Sequence, residues 1–441
     1  VLLNFFSEAF LVLFFALILF YEFSKSSTQK LKYLFIFSLI FYSWGNPNHL
    51  FYLILIICGT YLFSHLIYRN KKFGAVTAGI IFLVAILAVA KGLATKTNNA
   101  IPIGVSFYSL QAMSYLMSLH KREVEKITFL ELGAYLAFFP QLLAGPICRV
   151  EQIVPQLRKL TNLKRNSMEE GFIRFAVGVF KKVILADYLR VYVDLAFDGN
   201  FNNFGPYWFV IITAYSLQIY FDFSGYSDMA LGLGRFFGVI LPENFNCPYY
   251  SQSLTSFWKN WHKTLSYWFR DYVYVPLGGG QGKTLLVFSN ILLVFILSSL
   301  WHGLGATFLV WGLLHSVVVC LEKLGKGKVR KLYPLTMITT VWVGWIFFRS
   351  HSLPQAIGIL ETLVKGRSYN SFSSFWSPYS PLVYLVLVGI IFISSEYSLS
   401  LKRKLKRKTL PMSVKLTLAT IAFQLAIFLG PQAQEFIYFR F

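Results

Sequence analysis

Long uncharged apolar stretches set the rhythm of this chain. Phe73–Ala90, Thr284–Trp301, Gly303–Leu321, Tyr333–Phe348, Trp376–Ser395 and Leu416–Gln434 contain no Asp, Glu, Lys or Arg. A helix crossing a ~30 Å hydrocarbon core needs about 20 such residues. Apolar segments at Leu2–Phe23, on either side of Asn46-Pro47-Asn48, at Ile101–Leu119 and from Phe204 to Phe221 extend the series. The pattern predicts an all-α, polytopic membrane protein with about ten to twelve spans. Leu2–Phe23 is long enough to be a retained first span rather than the apolar core of a cleaved signal.

Polar residues punctuate these stretches in an ordered way. Lys25, Lys30 and Lys32 mark one loop, Arg69, Lys71 and Lys72 the next, and Lys121-Arg122 a third. The Asn46-Pro47-Asn48 turn returns the chain to its starting side, and a loop with Asn98 and Asn99 lies opposite. All three basic loops then face the cytoplasm, as do Lys326–Lys331 and Lys402–Lys408. Phe129–Ile147 is apolar but interrupted by Glu131, Pro140, Gly145 and Pro146. It reads as a broken segment buried in protein rather than lipid. Phe172–Phe197 carries Arg174, Lys181, Lys182, Asp187 and Arg190, and is either an internal span with a polar face or a surface helix. No repeat and no long linker divides residues 1–441, which read as one membrane domain.

Composition adds little and excludes much. The mean hydropathy is +0.56. The formal charge is +22. Basic residues sit in short loops without a nucleic-acid motif, so they read as topology signals and contacts to anionic lipid headgroups. Cys58, Cys148, Cys247 and Cys320 are scattered, with neither a disulfide framework nor a metal-site spacing.

The chemistry is concentrated in the middle of the chain. Leu254, Trp258, Trp261, Leu265, Trp268 and Tyr272 recur at helical spacing, with Lys259, Lys263 and Arg270 on another face. This predicts one amphipathic, interfacial helix ended by Pro276 and Gly278-Gly279-Gly280. Its cations suit lipid phosphate or the phosphates of a nucleotide-bearing donor, and His262 lies among them. "YFDFSGYSD" ends an apolar stretch with Asp222 and Asp228. Such carboxylates either face a cavity or cap the helix end and pair with Lys or Arg. His302 sits between two uncharged windows, beside Trp301 and ahead of Gly303 and Gly305. It is a satisfied buried histidine or a proton acceptor, since imidazole takes and returns a proton near neutral pH. His315 is a plain core histidine, and His49, His65, His120 and His351 have no supporting context.

"FFPQLLAGPICR" (Phe138–Arg149), "YSLQIYFDFSGYSDMALGLGRFFG" (Tyr215–Gly238), "LPENFNCPY", "SFWKNWHKTLSYWFRDYVYVPLGG" and "SLWHG" occur in this order, and "EFIYFRF" closes the chain. Together they resemble the membrane-bound O-acyltransferase family. The likeness is to its bacterial polysaccharide branch, whose members acetylate peptidoglycan or alginate or pass D-alanine to teichoic acid. The resemblance implies a ring of tilted helices around a central tunnel, with His302 as the catalytic histidine and His262 as the second signature histidine. It implies transfer of an acyl group, most simply acetyl, from a cytoplasmic thioester such as acetyl-CoA toward an envelope polysaccharide, peptidoglycan before alginate. Lys259, Lys263, Arg270, Asp222, Asp228 and Trp301 are the expected substrate-binding residues. No cofactor or metal is expected to be bound. The expected partners are the lipid bilayer of the bacterial inner membrane and a separate extracytoplasmic O-acetyltransferase. A transporter or non-enzymatic acyl conduit is the alternative of a different class. Transporters usually show paired broken helices related by a repeat, and none is visible.

Overall fold

The computed structural model describes residues 5–437, apart from residues 6, 46, 71–72, 98–101, 200–204, 326–329, 366–371, 405–409 and 432–435. Several basic-loop positions, the Asn98–Asn99 turn and most of the closing "EFIYFRF" therefore lie outside the described residues. Among the described residues the chain is helical, without strands. An N-terminal group comprises α1 (Glu8–Glu22), α2 (Ser27–Gly45), α3 (Pro47–Asn70), α4 (Phe73–Thr97) and α5 (Val105–His120). Short helices follow: α6 (Phe129–Leu136), α7 (Phe139–Leu142) and α8 (Val150–Leu157). Then come α9 (Arg165–Phe180), α10 (Asp187–Asp198), α11 (Trp208–Phe236), α12 (Leu254–Asn260) and α13 (Lys263–Phe269). The last group is α14 (Thr284–His302), α15 (Ala306–Leu324), α16 (Tyr333–Arg349), α17 (Leu353–Lys365), α18 (Phe372–Lys404) and α19 (Met412–Leu429).

Among the described residues, six helices are long and apolar enough to cross a membrane: α3, α4, α14, α15, α18 and α19. Other segments expected to span are long but less apolar, such as α2 with 19 residues and α11 with 29, and others fold as short or broken helices. The described part of the first segment is a helix of 15 residues. Phe129–Ile147 splits into α6 and α7, nearly all of it buried. Tyr135 stitches it shut by donating its hydroxyl to the Cys148 carbonyl at 2.7 Å. Of the two readings of Phe172–Phe197, the structure takes the internal element with a polar face. Between α9 and α10 a π-helical turn, Lys181–Ala186, buries Lys181 and Lys182 together.

α11 is the central post. Residues on both of the molecule's hydrophobic cores belong to it, Phe223 to the N-terminal core and Tyr215 to the other. It runs unbroken through Asp222 and Asp228 to Phe236, so "YFDFSGYSD" lies within a helix rather than at its end. Its partner α9 approaches backbone to backbone. A Cβ added at Gly178 would lie 2.6 Å from the Gly225 carbonyl oxygen, and one at Gly232 would lie 2.6 Å from that of Gly171. The glycines lie seven positions apart on each helix, which places both pairs along one seam.

Candidate active site

The predicted amphipathic helix is not continuous. α12 stops at Asn260, Trp261 is extended, and His262 takes φ +41° before α13 starts at Lys263. A left-handed backbone at a residue other than glycine costs about 1–2 kcal/mol, so neighbouring bonds must hold it. The Lys263 N–H donates to the Asn244 carbonyl at 2.9 Å, and the Asn246 N–H donates to the Asn260 carbonyl at 3.0 Å. The break places Lys259 and Lys263 on different helices and leaves His262 buried at the junction.

Asn244, from "LPENF", organises this turn. Its Oδ1 accepts from the Thr264 hydroxyl at 2.7 Å, the Thr264 N–H at 3.3 Å and His262 Nδ1 at 3.3 Å. An amide oxygen only accepts, so His262 carries its proton on Nδ1 and its lone pair on Nε2. The Thr264 hydroxyl oxygen in turn accepts from the Ile147 N–H at 2.9 Å. Three of the sequence motifs thereby converge on one hydrogen-bonded node.

α12 is fixed from the far side by Glu322, near the end of α15. Its carboxylate accepts from the N–H groups of Leu254 (2.6 Å) and Thr255 (3.0 Å) and from the Thr255 hydroxyl (2.7 Å). The Ser253 hydroxyl accepts from Ser256 N–H at 3.1 Å. The first N–H groups of a helix have no partner within it, and a carboxylate is favoured at that end.

His302 is the last residue of α14, at the tight Gly303-Leu304-Gly305 turn into α15. It is 4% exposed, and its ring packs edge-on to Trp301, Trp311 and Phe348 at centroid distances of 4.8, 5.3 and 5.2 Å. Trp301 also lies 6.1 Å from the His262 ring, so one indole touches both imidazoles. His315 is a core histidine, with Nδ1–H donating to the Trp311 carbonyl at 2.7 Å.

His262 and His302 line the same cavity of about 560 Å³. Trp258, Trp261, Trp311, Trp345 and Phe348 supply apolar walls around the histidines, and Lys259, Arg270 and Lys323 border the cavity elsewhere. α14 has 19 residues, about 28 Å at 1.5 Å per residue, so the histidine and the helix start are separated by roughly a membrane core. Lys323 lies in the last turn of α15, at the end opposite the His302 turn. Arg270 is not an isolated cation. Its Nε donates to Asp271 at 2.6 Å, and Arg149 pairs with the same carboxylate. Burial works to raise the Asp271 carboxyl, but hydrogen bonds from Arg270 and Arg149 outweigh it and hold it below the usual range.

The structure thus brings His302, His262, Lys259 and Arg270 to one cavity, with Trp301 packed against both histidines. It leaves out Lys263, Asp222 and Asp228. Asp222 pairs with Lys182 at 2.6 Å and accepts from the Ile437 N–H at 2.8 Å. Asp228 pairs with Arg174 at 2.6 Å and Lys181 at 2.7 Å. Both carboxylates tie α11 to α9 and the π turn, so the ion-pair half of their sequence reading is the one the structure follows. Asn244, Glu322 and Lys323 were not singled out in the sequence. Asn244 lies within the "LPENFNCPY" motif, but its partner His262 lies 18 residues away across a helix break. Among the described residues, no three His, Cys, Asp or Glu side chains gather as a metal site requires.

The chain belongs to the membrane-bound O-acyltransferase family, whose model matches residues 4–353. It is a multi-pass membrane protein of this family. It is 35% identical over 300 residues to the peptidoglycan O-acetyltransferase of Helicobacter pylori, a match covering 60% of this chain and 57% of that protein. It is 39% identical over 273 residues to the probable alginate O-acetylase AlgI of Pseudomonas aeruginosa, covering 60% and 52%. It is 28% identical over 251 residues to the teichoic acid D-alanyltransferase of Bacillus subtilis, covering 54% and 64%. The chain spans little more than half the length of the first two.

Proposed function

We propose that this chain transfers an acyl group, acetyl, from a cytoplasmic thioester toward a hydroxyl of an envelope polysaccharide. The observation that carries the reading is the shared cavity: two buried histidines within apolar walls, with basic residues at its border. A thioester donor carries phosphates, for which Lys259, Arg270 and Lys323 are suited, and an apolar acyl-thioester end suited to the tryptophan-lined wall. Acetyl-CoA is the donor proposed. Peptidoglycan is the acceptor favoured by the likeness to the Helicobacter pylori protein. The chain acts in the bacterial inner membrane, where a separate extracytoplasmic O-acetyltransferase is the proposed partner that receives the acetyl group in the cell; in its absence a soluble glycan hydroxyl serves as the acceptor.

In the proposed reaction His302 accepts the proton of the acceptor hydroxyl as its oxygen bonds to the thioester carbonyl carbon. The C–S bond then breaks, and protonated His302 gives that proton to the leaving thiolate, so an ester and a free thiol result. His262, fixed by Asn244, orients the donor. A conduit without chemistry would need neither a proton acceptor nor a second oriented imidazole.

The test uses purified full chain with acetyl-CoA and soluble peptidoglycan fragments, reading release of free thiol. His302→Gln should lower turnover by about 10²–10⁴-fold while donor binding persists. An active His302→Gln protein would remove His302 from the chemistry. No thiol release from the wild type under any acceptor would leave the conduit as the better account.

A further inference from the structure

α4 is one of the membrane-length apolar helices, yet it holds a lysine near its end. Lys91 lies within the Phe73–Leu93 stretch and is 4% exposed. A cation in such a place is expensive, and its position normally reflects a specific partner. Here the ammonium donates to the carbonyl oxygen of Trp301, 210 positions along the chain. Trp301 is the penultimate residue of α14, immediately before His302. Carbonyls in the last turn of a helix have no partner within it, and a positive charge is favoured at that end. Lys91 therefore caps α14 from a different helix.

Other contacts hold the same residue. The Trp301 indole N–H donates to the Ser106 carbonyl at 3.4 Å, and its ring meets Phe107 edge-on at 5.3 Å. The backbone of Trp301 is thus tied to α4 and its side chain to α5. Beyond Trp301 come His302 and then Gly303 and Gly305, which offer little stiffness of their own. The two ties from the N-terminal helices hold the residue next to His302, whose ring packs on Trp301, Trp311 and Phe348.

We propose that Lys91 is a positioning residue for acyl transfer, capping the C-terminal turn of α14 at Trp301 and so fixing His302 in the cavity. This rests on the reading of His302 as the proton acceptor. Lys91 hydrogen-bonds to the Trp301 carbonyl. It acts through the backbone that carries the imidazole, and a displacement of about 1 Å at a reacting group can cost roughly 10²-fold in rate.

The experiment compares kcat and donor KM for wild type, Lys91→Met, Lys91→Arg and His302→Gln, as purified full chain with acetyl-CoA and soluble peptidoglycan fragments. Lys91→Met keeps the length of the stem and loses the donor and the charge. It should lose about 10- to 100-fold in kcat, with donor KM within twofold and an unchanged melting temperature. Lys91→Arg keeps both the donor and the charge and should recover most of the rate. Wild-type kcat in Lys91→Met would overturn the proposal. So would a rise in donor KM, or a fall in melting temperature, that accounts for the whole loss. If Lys91→Met does not accumulate as folded protein, Lys91→Gln carries the same expectation, because its amide is about one bond too short for the same reach. An inactive His302→Gln beside a fully active Lys91→Met would defeat this inference alone. An active His302→Gln would defeat the reading it rests on.

Discussion

His262 holds a backbone conformation that nothing in its own stretch of sequence requires. Its φ of +41° is sustained by Asn244, whose main chain and side chain together take hydrogen bonds from Lys263, Thr264 and His262. Removing the Asn244 side chain leaves buried donors without an acceptor, each worth about 1–3 kcal/mol. Asn244→Ala should therefore lower acyl transfer by about 10- to 100-fold, because the imidazole loses its orientation. Ser227→Ala removes only the 3.4 Å contact from the Asn244 amide and should keep activity within about twofold. Thiol release by the two purified variants decides the matter. Equal activities would mean that the backbone bonds alone hold the turn. His262 itself could be picked out of the sequence, but Asn244 could not, because a polar turn gives no sign of which side chain it will meet.

Between elements, α9 and α11 approach backbone to backbone at four glycines in two facing pairs. Gly178→Val would drive a side chain toward the Gly225 carbonyl, which a Cβ alone would already meet at 2.6 Å. The helices must part, at roughly 1–3 kcal/mol or more. The same seam continues into buried pairs between the π turn and α11: Lys182 with Asp222, and Lys181 with Asp228. Separating the helices leaves these charges short of their partners, which adds to the loss. Gly178→Val should lower the melting temperature in detergent by several degrees and reduce monodisperse yield. Gly74→Ala, where a Cβ meets nothing within 4 Å, should not. A Gly178→Val protein as stable as wild type would show that the seam yields without cost. The sequence displayed the charges of Phe172–Phe197 but not the π turn that points two adjacent lysines into the protein.

For the whole molecule, the relevant feature is a cavity with imidazoles in an apolar part and cations elsewhere on its border. Exposed charges are each worth about 0.2–1 kcal/mol. Reversing Lys259 or Lys323 to Glu should raise donor KM by about two- to fivefold and leave kcat nearly unchanged. The effect should shrink as salt rises, since exposed charges are screened over about 10 Å at 0.1 M. Lys263→Glu is the internal comparison, because Lys263 does not line the cavity. A donor KM that responds to Lys263 and ignores Lys259 and Lys323 would place the donor elsewhere. Steady-state titrations at low and high salt read the difference directly.

By itself the sequence determined the membrane class and the helical architecture, and it pointed to the two histidines. Apolar length is a local property, and His302 stood out because its surroundings contain few other ionisable groups, whereas His262 stood out within its aromatic and basic motif. The broken Phe129–Ile147 segment was legible for the same reason, since Pro140, Gly145 and Pro146 interrupt it wherever it packs. Only the tertiary structure decided that a uniform amphipathic pattern breaks at His262, that Lys263 leaves the cavity while Lys323 joins it, and that Asp222 and Asp228 serve ion pairs. Each outcome depends on partners tens to hundreds of residues distant: Asn244 for His262, Glu322 for α12, Lys181 and Lys182 for the carboxylates, Lys91 for Trp301. Helical periodicity describes which residues share a face. Where a polar group in an apolar interior finds its hydrogen bond is settled by packing, because leaving it unpaired costs more than bending the local backbone to reach a partner.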